Sequence, residues 1–128
     1  MISVLDTKQL GHAGIVAATA LQTEDGITLF DTGPESTFEN VTAALRQSGS
    51  DPADVRHVFL SHIHFDHAGA AWRFAESGAT VYVHPRGAAH LIDPTKLIES
   101  ATRIFGGDMQ RLWGRIGPVP AKRVKIRS

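Results

Sequence analysis

The chain has 128 residues, the size of one ordinary domain, and 42% of them are hydrophobic, enough for a packed core and too many for a disordered chain. Its 13 Lys plus Arg balance 13 Asp plus Glu, so it lacks the global positive charge that marks a nucleic-acid binder. The absence of cysteine excludes disulfides, thiolate metal sites, cysteine nucleophiles and iron–sulfur clusters.

The N-terminus, Met1-Ile2-Ser3-Val4-Leu5-Asp6, has no basic start and no long apolar run. No segment approaches the roughly 20 apolar residues of a membrane span, so a cytoplasmic protein with no membrane association is expected. Residues 2–5 suit an edge strand, and residues 14–23 form the first convincing strand. Asp25-Gly26 predicts a hairpin turn, because glycine tolerates positive φ, with a return strand over Ile27–Asp31. Ser36 and Glu39 have capping-box spacing, and Phe38, Val41 and Leu45 share one face of the helix that follows. Gly49 is placed to stop that helix, and residues 51–54 form a loop. A short strand is expected over His57–Ser61, a helix over 69–77 ended by Gly78, and a strand over Thr80–His84 closed by Pro85. Asp93-Pro94 then opens a helix as N-cap and first-turn proline. Along it, Leu97, Ile98, Ala101, Ile104 and Phe105 fall at helical spacing, and Gly106-Gly107 end it. This alternation of strand and helix predicts an α/β or α+β architecture.

Charge is unevenly spread. The first 110 residues carry 7 basic and 13 acidic groups. The rest hold Arg111, Arg115, Lys122, Arg123, Lys125 and Arg127 and no acid. A domain over 1–110 followed by a solvated basic segment over 111–128 is therefore expected. Trp113 is the only aromatic residue in that segment, so stacking support is thin and nucleic-acid binding is not expected. Residues 14–21, Val58-Phe59-Leu60 and Thr80–Val83 are apolar on both strand faces, the pattern of strands buried on both sides. The available helices suffice for one side only. The other side is expected to serve self-association or to pair with a complementary chain.

The chemistry concentrates in Ser61-His62-Ile63-His64-Phe65-Asp66-His67-Ala68-Gly69, at the end of an apolar strand. His62 and His64 are two residues apart, so in an extended chain they face the same side and can grip one metal. Asp66 and His67 follow in a turn that redirects the chain, where they can face a second metal a few Å away. Neutral imidazole and carboxylate suit zinc, iron or manganese. His12 and His57 read as ordinary loop and strand residues, and Trp72 and Trp113 as core or interface anchors.

His62-x-His64-x-Asp66-His67 resembles the H-x-H-x-D-H motif of the metallo-β-lactamase-fold superfamily. Ser61 before it, Ala68-Gly69 after it and Asp31-Thr32-Gly33 also fit, over roughly residues 10–92. The resemblance implies half of an αβ/βα sandwich, a mixed sheet with flanking helices. It also implies a site for two zinc ions, with His62 and His64 on the first and Asp66 and His67 on the second. A metal-activated water would attack a small ester, thioester, lactone or amide, with Asp66 steering that water. Asp31 is expected either to support a ligand from behind or to serve only as a turn residue.

The family's third histidine, bridging aspartate and last histidine have no counterpart here. His84 and His90 read as surface or boundary residues, Asp93 is a helix cap, and Asp108 follows the glycine pair. The chain thus resembles the N-terminal half of such a protein and carries part of the site. Two other readings stand beside a hydrolase: a mononuclear-iron persulfide dioxygenase, and a non-catalytic half-domain that needs a partner chain.

Overall fold

The computed structural model describes residues 2–6 and 17–126. Six strands form one mixed sheet in chain order: β1 (Ile2–Asp6), β2 (Ala17–Thr23), β3 (Gly26–Phe30), β4 (Val55–Phe59), β5 (Thr80–Val83) and β6 (Val124–Ile126). The first three are antiparallel neighbours, and β3 to β6 run parallel. The β2–β3 hairpin turns at Glu24-Asp25, and Gly26 follows at φ +123°. The Cβ of an L-residue is rarely accommodated there. Residues 14–16 of the expected first strand lie outside the described residues.

Each parallel strand is reached through helix. β3 leads to α1 (Phe38–Gln47), and β4 leads to α2 (Phe65–Ala68) and α3 (Ala71–Glu76). β5 leads to α4 (Pro85–Ile92), α5 (Thr95–Phe105) and α6 (Met109–Trp113). Crossovers between parallel strands are right-handed, and here each new strand adds on the same side of the last, so all the helices fall on one face.

The covered face carries the register row Leu29, Val58, Val81 and Val124, of which the first three are fully buried. They pack in one core with Val41 and Leu45 of α1 and Phe74 of α3. Each such side chain contributes roughly 1.5–3 kcal/mol by leaving water. The opposite row is aromatic. Phe30 stacks on Phe59 at 5.7 Å and Phe59 on Tyr82 at 4.3 Å between ring centroids. Phe30 is 43% exposed. Among the described residues, the sheet thus carries a second face of large apolar side chains.

Several local expectations shift. The Ser36–Glu39 capping box does not form: Ser36 lies inside a 3-10 turn over Glu35–Thr37, and its hydroxyl donates to the Leu112 carbonyl at 2.8 Å. The strand expected over His57–Ser61 is Val55–Phe59, two residues earlier. The helix expected over 69–77 begins earlier as α2, so Asp66 and His67 sit on a helical turn instead of an irregular one. The N-cap of α5 is Pro94 and not Asp93, because the Pro94 carbonyl takes the first helical bond, from the Ile98 amide at 2.9 Å; Asp93, one residue earlier, accepts from the Thr95 hydroxyl at 2.6 Å and the Thr95 amide at 3.2 Å.

The basic end is not a solvated segment. α6 spans the expected boundary, Val119 is buried, and β6 is the sixth strand. Trp72 Nε1 donates to the Arg115 carbonyl at 3.1 Å, and the Val119 amide donates to Leu91 at 2.9 Å. A Cβ at Gly117 would stand 2.6 Å from the Trp72 ring, so only glycine lets the chain pass this close. Among the described residues no helix is long and apolar enough to cross a membrane.

Candidate metal centre

β3 ends at Phe30, and the chain turns through Asp31-Thr32-Gly33. Asp31 takes φ +63° and Gly33 φ +74°. Aspartate is among the few side chains that adopt this left-handed region readily. The Asp31 amide donates to the Phe59 carbonyl at 2.8 Å, which fixes the turn at the carboxyl end of parallel β3 and β4. In open α/β sheets, this edge is where sites are built.

Thr32 is fully buried and grips α2 at its far end. Its amide donates to the His67 carbonyl at 2.7 Å. Its hydroxyl accepts from the Ala70 amide at 3.2 Å and has the carbonyls of Gly33 (2.9 Å) and His67 (3.1 Å) as acceptors. Gly69 lets the two segments meet. A Cβ there would lie 2.6 Å from the Phe65 carbonyl and 3.0 Å from Pro34 Cα, both rigid backbone.

The Asp31 carboxylate organises the histidines. Oδ1 accepts from the Ser61 amide at 2.8 Å, and Oδ2 accepts from the Ser61 hydroxyl at 2.7 Å and from His67 Nδ1 at 3.1 Å. A carboxylate only accepts, so His67 carries its proton on Nδ1 and would meet a metal through Nε2. The Ser61 hydroxyl spends its proton on Asp31, so its oxygen accepts from His62 Nδ1 at 3.0 Å. His62 therefore also has Nε2 as its ligating nitrogen. The ring centroids of His62 and His67 are 4.9 Å apart, and those of His62 and His64 6.1 Å.

Imidazole nitrogen and carboxylate oxygen are the donors that zinc, iron and manganese accept. Among the described residues, no group of three or more His, Asp or Glu side chains forms a ready-made metal site. The Asp66 side chain and all of His12 lie outside the described residues. His62 and His64 also line a recess of about 200 Å³ with Ser61, His84 and Arg86. His84 caps α4 there, its Nδ1 accepting from the Arg86 amide at 3.2 Å. His57 is placed elsewhere, on the open sheet face, with its Nδ1 3.1 Å from the Tyr82 hydroxyl. His90 is half-buried on α4.

Sequence reasoning misses the work of Thr32 and Ser61. The signal is the D-T-G triplet itself, whose middle residue is a hydroxyl at a buried turn. Nor does it foresee that His84 lines the recess beside His62 and His64, because that residue's approach depends on the parallel pairing of β4 and β5.

The family profile described as the metallo-beta-lactamase superfamily matches residues 12–127. The chain belongs to that superfamily. Over 36 residues it is 50% identical to the N-acyl homoserine lactonase AttM of Azorhizobium caulinodans, a match covering 28% of this chain and 14% of the lactonase. Its fold is similar to that of MEM-A1, a subclass B3 metallo-beta-lactamase from a soil metagenome library. That likeness has a TM-score of 0.68 at 22% identity, over 99% of this chain and 43% of that one. The metallo-beta-lactamase MIM-1 of Novosphingobium pentaromativorans matches with a TM-score of 0.61 at 29% identity, over 87% of this chain and 38% of that one. The superfamily member thus spans about two-fifths of the length of these solved structures.

Proposed function

We propose that this chain carries the metal-binding part of a metal-dependent hydrolase acting on a small ester, thioester, lactone or amide. The observation that carries this reading is the Asp31 carboxylate, which holds Ser61 and His67 directly and His62 through Ser61. Superfamily membership and the short match to a lactonase support hydrolysis, and the latter favours a lactone among these substrates.

His62 and His64 would hold one zinc, and Asp66 with His67 a second. Zinc bound there supplies a water acidified toward neutral pH and a Lewis acid for the substrate carbonyl. The chain's own residues do the rest. Asp31 fixes both ring tautomers, so no proton need be lost from Nε2 before His62 and His67 ligate. Thr32 holds α2 against the sheet, so His67 keeps its distance from His62. Asp66, on the single turn of α2, is assigned to orient the attacking water.

The test is zinc uptake and lactone hydrolysis measured on the same preparation, with γ-butyrolactone as substrate and acid release as the readout. His62→Ala and His64→Ala are expected to abolish zinc binding at the first site and hydrolysis with circular dichroism unchanged, and His84→Ala to leave both nearly intact. A single bound iron with no zinc-dependent hydrolysis would overturn the reading. So would equal damage from His84→Ala, which would reassign the ligands.

A further inference from the structure

A second cavity, of about 420 Å³, lies on the other side of His64. His64 and Phe65 form its motif end, Leu97, Ala101 and Ile104 line it from α5, and Trp113 closes it from α6. The size falls in the range, roughly 300–1,000 Å³, of pockets that hold small organic ligands. Positions 97, 101 and 104 follow the spacing of one helix stripe. That stripe is not used by the core: none of the residues of α5 is buried, and Ile104 is 77% exposed. Trp113 is held in place by ring contacts with Phe65 at 6.1 Å and Phe105 at 5.4 Å.

The two cavities share His64. The smaller has Ser61, His62, His84 and Arg86 beside Ile63, Val83 and Gly87, and the larger is walled by Phe65, Leu97, Ala101, Ile104, Phe105 and Trp113 with Ser100 among them. We propose that the α5–α6 groove holds the apolar carbon chain of an acyl substrate, whose polar end lies toward Arg86 and whose carbonyl is presented at His62 and His64. This assignment deepens the hydrolase reading and rests on it. It makes Leu97, Ala101, Ile104 and Trp113 the residues that select chain length.

The probes are straight-chain primary amides from butanamide to decanamide, titrated into zinc-free and zinc-loaded protein while tryptophan emission is followed. Trp113→Phe separates the groove's signal from that of Trp72. Each added methylene is expected to tighten binding about three- to fourfold until the groove is filled, with or without zinc. Ile104→Asp, at an exposed position that leaves the helix intact, is expected to weaken decanamide binding at least tenfold and leave zinc uptake unchanged. Arg103→Ala, on the same helix but outside the groove, is expected to change neither.

A flat series beside normal zinc uptake overturns the groove assignment alone. A sloped series beside absent zinc uptake overturns the hydrolase reading and leaves an acyl-binding groove. Sedimentation showing a dimer that Ile104→Asp dissociates would place a second copy in the groove and overturn the proposal.

Discussion

On the β3 side of His64, Thr32 is fully buried with its amide and hydroxyl both paired, and Asp31 accepts three hydrogen bonds. On the α5 side, no residue of an 11-residue helix is buried, and its apolar stripe faces a cavity. The fold concentrates its directional bonds around the turn that sets the His62 and His67 rings. It leaves the opposite wall loosely attached, where residues can vary without cost to the core. On the proposed reading, position and selectivity fall to different parts of the chain.

The largest break in this contrast is expected at Gly69. Gly69→Ala puts a methyl against the Phe65 carbonyl and Pro34, neither of which can rotate away. A loss of about 2–3 kcal/mol is expected in urea unfolding, together with weakened zinc uptake. Thr32→Val keeps the shape but strips the Ala70 amide of its hydroxyl acceptor and the His67 carbonyl of one donor. A loss of about 1–3 kcal/mol is expected, and Thr32→Ser should recover most of it.

The smallest effect belongs to the loose side. Hydrogen bonds from the Thr95 hydroxyl and amide, with His90 and Lys96 nearby, hold the Asp93 carboxyl below its ordinary pKa. A depressed carboxylate stabilises above its unfolded pKa, and that contribution fades as pH falls through the folded value. Asp93→Ala is therefore expected to lower the melting temperature slightly near neutral pH and to match the parent protein in acid. A difference that persists in acid would mean that the Asp93–Thr95 contact acts without its charge.

Much of this is legible in the sequence. The H-x-H-x-D-H spacing singles out the segment whose His62 and His67 rings lie 4.9 Å apart, and the apolar runs Val58-Phe59-Leu60 and Thr80–Val83 imply a second apolar sheet face. Phe30, Phe59 and Tyr82 are that face. Local patterns fail where long-range contacts decide. The Leu112 carbonyl, 76 residues on, takes the Ser36 hydroxyl from its expected cap. The segment after residue 110 reads as solvated because its charges are regular and its anchors are not: Arg115 and Gly117 are fixed by Trp72, and Val124 by β5. The stripe on α5 is legible as helical, yet helical spacing alone does not say whether its partner is a core or a ligand.

The central claim is that Asp31 organises the histidines for metal. It is tested most directly by calorimetric titration of zinc chloride into the parent protein and into Asp31→Asn, which tolerates the same backbone turn but cannot accept as the carboxylate does. The account predicts zinc binding weaker by about 10- to 100-fold in the variant, with the fold retained. Equal zinc affinity in the two proteins would contradict it and reduce Asp31 to a turn residue.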